Sequence, residues 1–151
     1  MAETKKPRLV GINHIAIEVG NIDEALAWYG RIFDFTLRGK SERNAFIDMG
    51  DQFINMTLVA DYAVTGEEKR HIGFVVDDRS RIIELAEAAG ARMVQGPFLD
   101  FLDPWGNRLE IVEYSNVQFT KAKNVMRGMK LNLDKNASAR RELAEKGMAD
   151  E

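Results

Sequence analysis

No cysteine occurs among the 151 residues, which excludes disulfides, thiolate metal sites and cysteine nucleophiles. Proline is scarce at three residues, and histidine occurs only twice. No apolar run approaches the roughly 20 residues of a membrane span. The opening residues Met1-Ala2-Glu3-Thr4-Lys5-Lys6-Pro7 lack the apolar centre of a signal peptide. A net charge of -3 offers no concentrated basic surface for nucleic acid. The expectation is a cytoplasmic protein with neither membrane nor nucleic-acid partner. An apolar share of 45% with 30% charged residues is ordinary for one globular domain, or for two small modules sharing a core.

The scarcity of histidine makes its placement informative. His14 opens the apolar run Asn13-His14-Ile15-Ala16-Ile17-Glu18-Val19, and His71 opens Arg70-His71-Ile72-Gly73-Phe74-Val75-Val76. Each run ends in a turn signal and leads into a helical stretch, which suggests an internal duplication. If the halves pack about a pseudo-two-fold axis, the imidazoles converge near it. Imidazole is the commonest metal ligand, so this placement predicts a metal site.

The order of elements supports the duplication. Residues 10–19 alternate as a strand, and 23–33 carry Ala25, Leu26, Trp28, Tyr29, Ile32 and Phe33 at helical spacing. Strands are predicted over 35–40, 43–49 and 52–60, with Gly50-Asp51 as a hairpin turn. Residues 61–69 form a polar linker. The order then repeats: a strand at 70–76, and a helix at 79–89 capped by Asp78 or Ser80 and stopped by Gly90. Strands follow at 91–95, 98–102 and 108–114. Each half is β-α-β-β-β. The offset from His14 to His71 is 57 residues, and an offset of 55 sets Asn55 opposite Glu110.

The remainder differs in composition. From Val117 onward there are eight basic against five acidic residues, whereas the preceding part has 13 against 19. Interleaved charges there predict surface helices, at 121–129 and 137–146. The domain reading is a module-bearing part at 1–116, with modules at 9–60 and 70–114, followed by a helical extension at 117–151.

Glu110 supplies a third piece of chemistry. Alternation puts Glu110, Val112 and Tyr114 on one face of the last strand, and Leu109, Ile111 and Glu113 on the other. A carboxylate between Leu and Ile in a strand is costly to bury without a partner, and a metal ion provides one. Two neutral imidazoles and one carboxylate leave open positions for water and substrate, the pattern of a catalytic site.

The chain resembles the vicinal oxygen chelate superfamily, the glyoxalase I, bleomycin-resistance and extradiol-dioxygenase group. The likeness spans about 9–114. It rests on Asn13-His14-Ile15-Ala16-Ile17, Ala25-Leu26-Ala27-Trp28-Tyr29, His71-Ile72-Gly73-Phe74 and Asp103-Pro104-Trp105-Gly106-Asn107-Arg108-Leu109-Glu110. It implies an α+β fold of two βαβββ modules forming a cupped mixed sheet around one divalent ion (Ni, Mn, Fe, Co or Zn), followed here by the helical extension. His14, His71 and Glu110 would be the ligands, with Glu110 also the catalytic carboxylate. The resemblance implies a lyase or isomerase acting on a small oxygenated substrate that chelates the ion.

Glyoxalase I-like members place a fourth ligand, usually Glu, where this chain has Asn55; Thr57 shares its face, and a two-residue shift would exchange them. Asn55, Thr57 and Tyr114 are expected to line the substrate. Extradiol dioxygenases use further histidines, and none remains here. Fosfomycin-modifying relatives usually carry Thr two residues beyond the first His, where this chain has Ala16. The rival reading is a metal-free ligand-sequestering protein of bleomycin-resistance type, or a dioxygenase. Small members of the superfamily usually form homodimers, and in some the site draws on both chains. The sequence leaves open whether His14 meets His71 of its own chain or of a neighbour.

Overall fold

In this computed structural model, residues 12–61 and 70–150 are described. The first half folds as β1 (His14–Val19), α1 (Ile22–Ile32), β2 (Thr36–Lys40), β3 (Asn44–Asp48) and β4 (Phe53–Leu58). The second folds as β5 (Ile72–Val76), α2 (Ile82–Ala88), β6 (Arg92–Val94), β7 (Asp100–Leu102) and β8 (Arg108–Glu113). Two short helices, α3 (Lys123–Gly128) and α4 (Ala137–Glu145), complete the chain. The strands form two four-stranded mixed sheets, ordered β1-β4-β3-β2 and β5-β8-β7-β6. This is the doubled βαβββ arrangement expected. The start of the first strand at 10–11 and linker residues 62–69 lie outside the described residues.

Local chemistry sets the boundaries. Asn21 caps α1, its Oδ1 accepting from the Glu24 amide at 2.9 Å, a contact worth about 1 kcal/mol. Asp78 caps a 3₁₀ turn at Arg79–Arg81 that leads into α2, so the predicted second helix begins as a tighter coil. Gly90, at φ +75°, ends it. The strand predicted from Phe98 is confined to Asp100–Leu102, and Phe98 is exposed. Tyr114, predicted to continue the last strand, instead begins a 3₁₀ turn at Tyr114–Asn116.

One face of each sheet packs under helices and into a shared core. Ile17, Val19, Ala45, Ile47, Ile54 and Met56 are buried from the first sheet; Phe74, Phe101, Leu109 and Ile111 are buried from the second. All belong to one core, and α1 packs on β4 of the first sheet and on Phe101 of the second. Trp28 on α1 donates its indole N–H to the Ala89 carbonyl at 2.9 Å and packs on Phe101. Phe33 meets Phe74 edge to face at 5.7 Å. Asn107 Nδ2 donates to the Glu18 carbonyl at 3.0 Å. The modules are therefore joined back to back through their helix-covered faces, and the opposite faces, carrying His14 and Glu110, point away from the shared core.

The extension is fastened to both modules. Lys121 Nζ donates to the Met49 carbonyl at 2.9 Å and pairs with Asp51 on the β3–β4 turn. Lys135 Nζ donates to the carbonyls of Tyr114 and Phe119, and Asn136 N donates to the Ser115 carbonyl at 2.9 Å. Ala139 and Leu143 of α4 are buried.

Candidate functional site

Strand register decides which residues correspond between the halves. In the first sheet β1 runs parallel to β4 with Ala16 opposite Asn55. In the second, β5 runs parallel to β8 with Gly73 opposite Glu110. Ala16 lies two residues after His14, and Gly73 two residues after His71. Asn55 therefore occupies the position equivalent to Glu110, and Thr57, opposite Glu18, does not.

His71 and Glu110 meet. Nε2 of His71 lies 3.3 Å from Oε2 of Glu110, both at the open face of the second sheet. Their donor set fits a divalent ion. Two ligand atoms each about 2.1 Å from one ion lie roughly 3.0–3.4 Å apart at the usual coordination angles. The Glu110 side chain is 21% exposed, so the carboxylate is partly withdrawn from water while remaining reachable.

His14 does not join them. Among the described residues no group of three His, Asp or Glu side chains comes together. The expectation that both imidazoles converge about an internal axis is not met within one chain. The His14 ring stacks on Phe53 at 4.6 Å and 12°, and its Nδ1 is 2.9 Å from Asn13 Oδ1. His14 and His71 stand at the starts of β1 and β5, and each of these is an edge strand of its sheet.

Beside His14, the open face of the first sheet is aromatic and amide-rich. Phe46 meets Phe53 edge to face at 5.9 Å. Asn44 Nδ2 donates to Asn55 Oδ1 at 2.9 Å and to Thr57 Oγ1 at 3.3 Å. The Asn55 carbonyl oxygen is thus committed to Asn44, and among the described residues its side-chain N–H groups make no hydrogen bond. Asn44 escapes sequence reading because only the register, which sets it opposite Thr57, shows that it shares their face.

Tyr114 is buried beneath the extension. Its hydroxyl bonds Thr120 Oγ1 at 3.0 Å, and the Lys135 ammonium lies 3.4 Å from its ring centroid. Burial holds the Lys135 ammonium below its usual pKa. In this structure Tyr114 thus anchors the extension.

A partly buried ion pair joins β7 and β8 beside Glu110. Asp100 on β7 stands directly opposite Glu110. Its Oδ2 accepts from Arg108 Nε at 2.8 Å and from Nη2 at 2.7 Å, while its Oδ1 is buried without a hydrogen-bond partner. A second buried carboxylate sits in the loop before β8. Asp103 Oδ1 accepts from the amides of Trp105 and Asn107 at 2.9 Å, fixing the turn that delivers β8. Burial pushes its carboxyl pKa up, and hydrogen bonds from Asn107 and Tyr29 oppose that shift.

The family model described as Glyoxalase/Bleomycin resistance protein/Dioxygenase superfamily matches residues 11–111. Among solved structures, the fosfomycin resistance protein FosX from Mesorhizobium loti is similar at 19% identity and TM-score 0.60, covering 69% of this chain and 91% of that one. A mutant of FosX from Listeria monocytogenes, complexed with Mn(II) and 1S,2S-dihydroxypropylphosphonic acid, is similar at 18% identity and TM-score 0.59, covering 69% and 90%. A glyoxalase/bleomycin resistance protein/dioxygenase from Alicyclobacillus acidocaldarius is similar at 19% identity and TM-score 0.55, covering 70% and 92%. At these identities the likeness shows the fold. The family match ends before Val117, so the extension lies beyond it.

Proposed function

Since the chain belongs to the glyoxalase/bleomycin resistance protein/dioxygenase superfamily, we propose that it is a divalent-metal-dependent enzyme of glyoxalase type, a lyase or isomerase whose site is completed by a second copy of itself. The observation that carries this reading is the 3.3 Å approach of His71 to Glu110. The third ligand, His14, stands at the corresponding point of the other sheet's edge strand and does not join its own chain's pair. An edge strand offers unpaired backbone groups to a partner. Setting β1 of one subunit beside β5 of another brings His14 of the first to the His71–Glu110 pair of the second. A homodimer formed this way carries two such sites.

Each residue has a task in that site. His14, His71 and Glu110 would hold the ion, which as a Lewis acid polarises substrate oxygens. Glu110 contributes the negative charge, and its strand neighbours Leu109 and Ile111 lock it in place from the core side. Phe53 fixes the orientation of the His14 ring by stacking. Asn55, held by Asn44, offers an N–H donor where relatives carry a carboxylate, so it orients oxygen and does not take up a proton. The FosX structure with Mn(II) supports a resident divalent ion in this fold.

The test is metal uptake by purified, chelator-stripped protein. One Mn(II), Ni(II), Co(II), Fe(II) or Zn(II) is expected to bind per chain. Glu110→Gln and His71→Ala should each weaken binding by more than the roughly 10–100-fold typical of losing an outer-shell partner. A protein that takes up none of these ions is instead a ligand-sequestering member.

A further inference from the structure

The open face beside His14 carries a cation, Arg38, that no carboxylate among the described residues pairs with. Arg38 lies on β2 at a break in register. Thr36 and Leu37 pair with Asp48 and Ile47, but the next pairs are Gly39 with Phe46 and Lys40 with Ala45. Arg38 is the extra residue of this bulge. Bulges re-aim side chains, and they are frequent beside active sites. Here the bulge sends the guanidinium across β3 to Phe53, with Cζ 4.9 Å from the ring centroid. Phe53 is also the ring on which His14 stacks. Among the described residues no Asp or Glu lies within ion-pair distance of Arg38, whereas Lys40 on the same strand pairs with Asp23 and Arg108 on the second sheet pairs with Asp100.

We propose that Arg38 anchors a second anionic group of the substrate, so that the site takes small compounds with oxygens for the ion at one end and a carboxylate- or phosphate-type oxyanion at the other. This rests on the metal reading above and specifies its substrate class. A guanidinium presents a planar fork of N–H donors that matches a carboxylate or phosphate with two parallel bonds. Its stack on Phe53 fixes the fork's direction and limits the side-chain entropy lost on binding. The Asn44–Asn55–Thr57 group lies on the same face, further along the strands from Phe53, and offers additional neutral polar groups there.

The test compares lactate with malate and 2-hydroxyglutarate. All three share an α-hydroxy acid head, and only the latter two carry a second carboxylate, at two different reaches. Binding is measured by calorimetry to the full-length protein, metal-free and loaded with Mn(II), for wild type, Arg38→Met and Arg38→Lys. Methionine keeps the apolar contact with Phe53 and removes the charge; lysine keeps the charge. Wild type is expected to bind at least one dicarboxylate about tenfold or more tighter than lactate. Arg38→Met should lose about ten- to a hundredfold of that preference, the scale of a charge-assisted hydrogen-bonded contact, and Arg38→Lys should retain part of it. Affinity for Mn(II) alone and for lactate should be unchanged in both variants, which also reports that they fold. Equal preference in Arg38→Met, or no preference in wild type, overturns the assignment. Failure of wild type to bind Mn(II) strikes the metal reading, and the comparison on metal-free protein then decides the role of Arg38 separately.

Discussion

The hydroxyl of Tyr29, on the helix of the first module, donates a 2.8 Å hydrogen bond to Oδ2 of Asp103, in the loop that launches β8 of the second. Both groups are buried, and the bond spans 74 positions of sequence. It pins the modules together through their helix-covered faces, the arrangement that turns the His14 and Glu110 faces outward.

Tyr29→Phe should therefore destabilise the fold by about 1–3 kcal/mol, because it leaves a buried acceptor short of a donor. Thermal denaturation measures it. The variant should also change the pH dependence. Burial already holds the Asp103 pKa above its usual 3.8, so its ionisation subtracts stability as pH climbs from that value through the raised one. Loss of the Tyr29 bond raises the pKa further, so the decline becomes larger and extends to higher pH than in wild type.

Gly50→Ala should loosen the extension. Gly50 adopts φ +85°, and a Cβ there would lie 2.6 Å from Met129 Sδ and 3.1 Å from Val125 Cγ1. The left-handed backbone and the clash together are expected to cost about 1–3 kcal/mol. Limited proteolysis should show faster cleavage between residues 117 and 135. Adding Met129→Ala should relieve the clash and recover only part of the loss, because the backbone strain remains.

Acid should weaken the same attachment. A hydrogen bond from Lys121 is the main cause holding the Asp51 carboxyl below its usual 3.8. The stability from this pair is fully present above 3.8 and is lost as pH falls through the lowered value. The difference in melting temperature between wild type and Lys121→Met should be constant from neutral pH to about 5 and shrink towards pH 2. A difference independent of pH would show that the ammonium stabilises through its Met49 carbonyl contact alone.

Much of this fold can be read in the chain, because a half-covered sheet imposes period-two alternation: Ile15, Ile17 and Val19 turn inward while His14, Ala16 and Glu18 stay exposed. The likeness of the two histidine-bearing runs gave the duplication, and alternation put Glu110 on the open face where His71 reaches it. Other features depend on contacts distant in sequence. Alternation placed Tyr114 beside Glu110, but the strand ends one residue earlier and the extension covers the ring. Asp103 shapes the turn before β8, yet its bond to Tyr29 has no local signature. The reach of Arg38 depends on a bulge, and a one-residue slip in pairing leaves no mark in composition. The direction of packing between modules is likewise set by tertiary contacts such as Trp28 with Ala89.

In the proposed dimer one metal site draws His14 from one subunit and His71 with Glu110 from the other. The most direct test of this sharing is a heterodimer of His14→Ala and His71→Ala chains, isolated with two different affinity tags and titrated with Mn(II). In this pairing one site loses both imidazoles, while the other regains His14 from one chain and the His71–Glu110 pair from its partner. Neither homodimeric variant should bind Mn(II) tightly, and the heterodimer should bind one. A heterodimer that binds none, or variant chains that remain monomeric beside wild-type protein that is also monomeric and metal-loaded, would contradict the shared site.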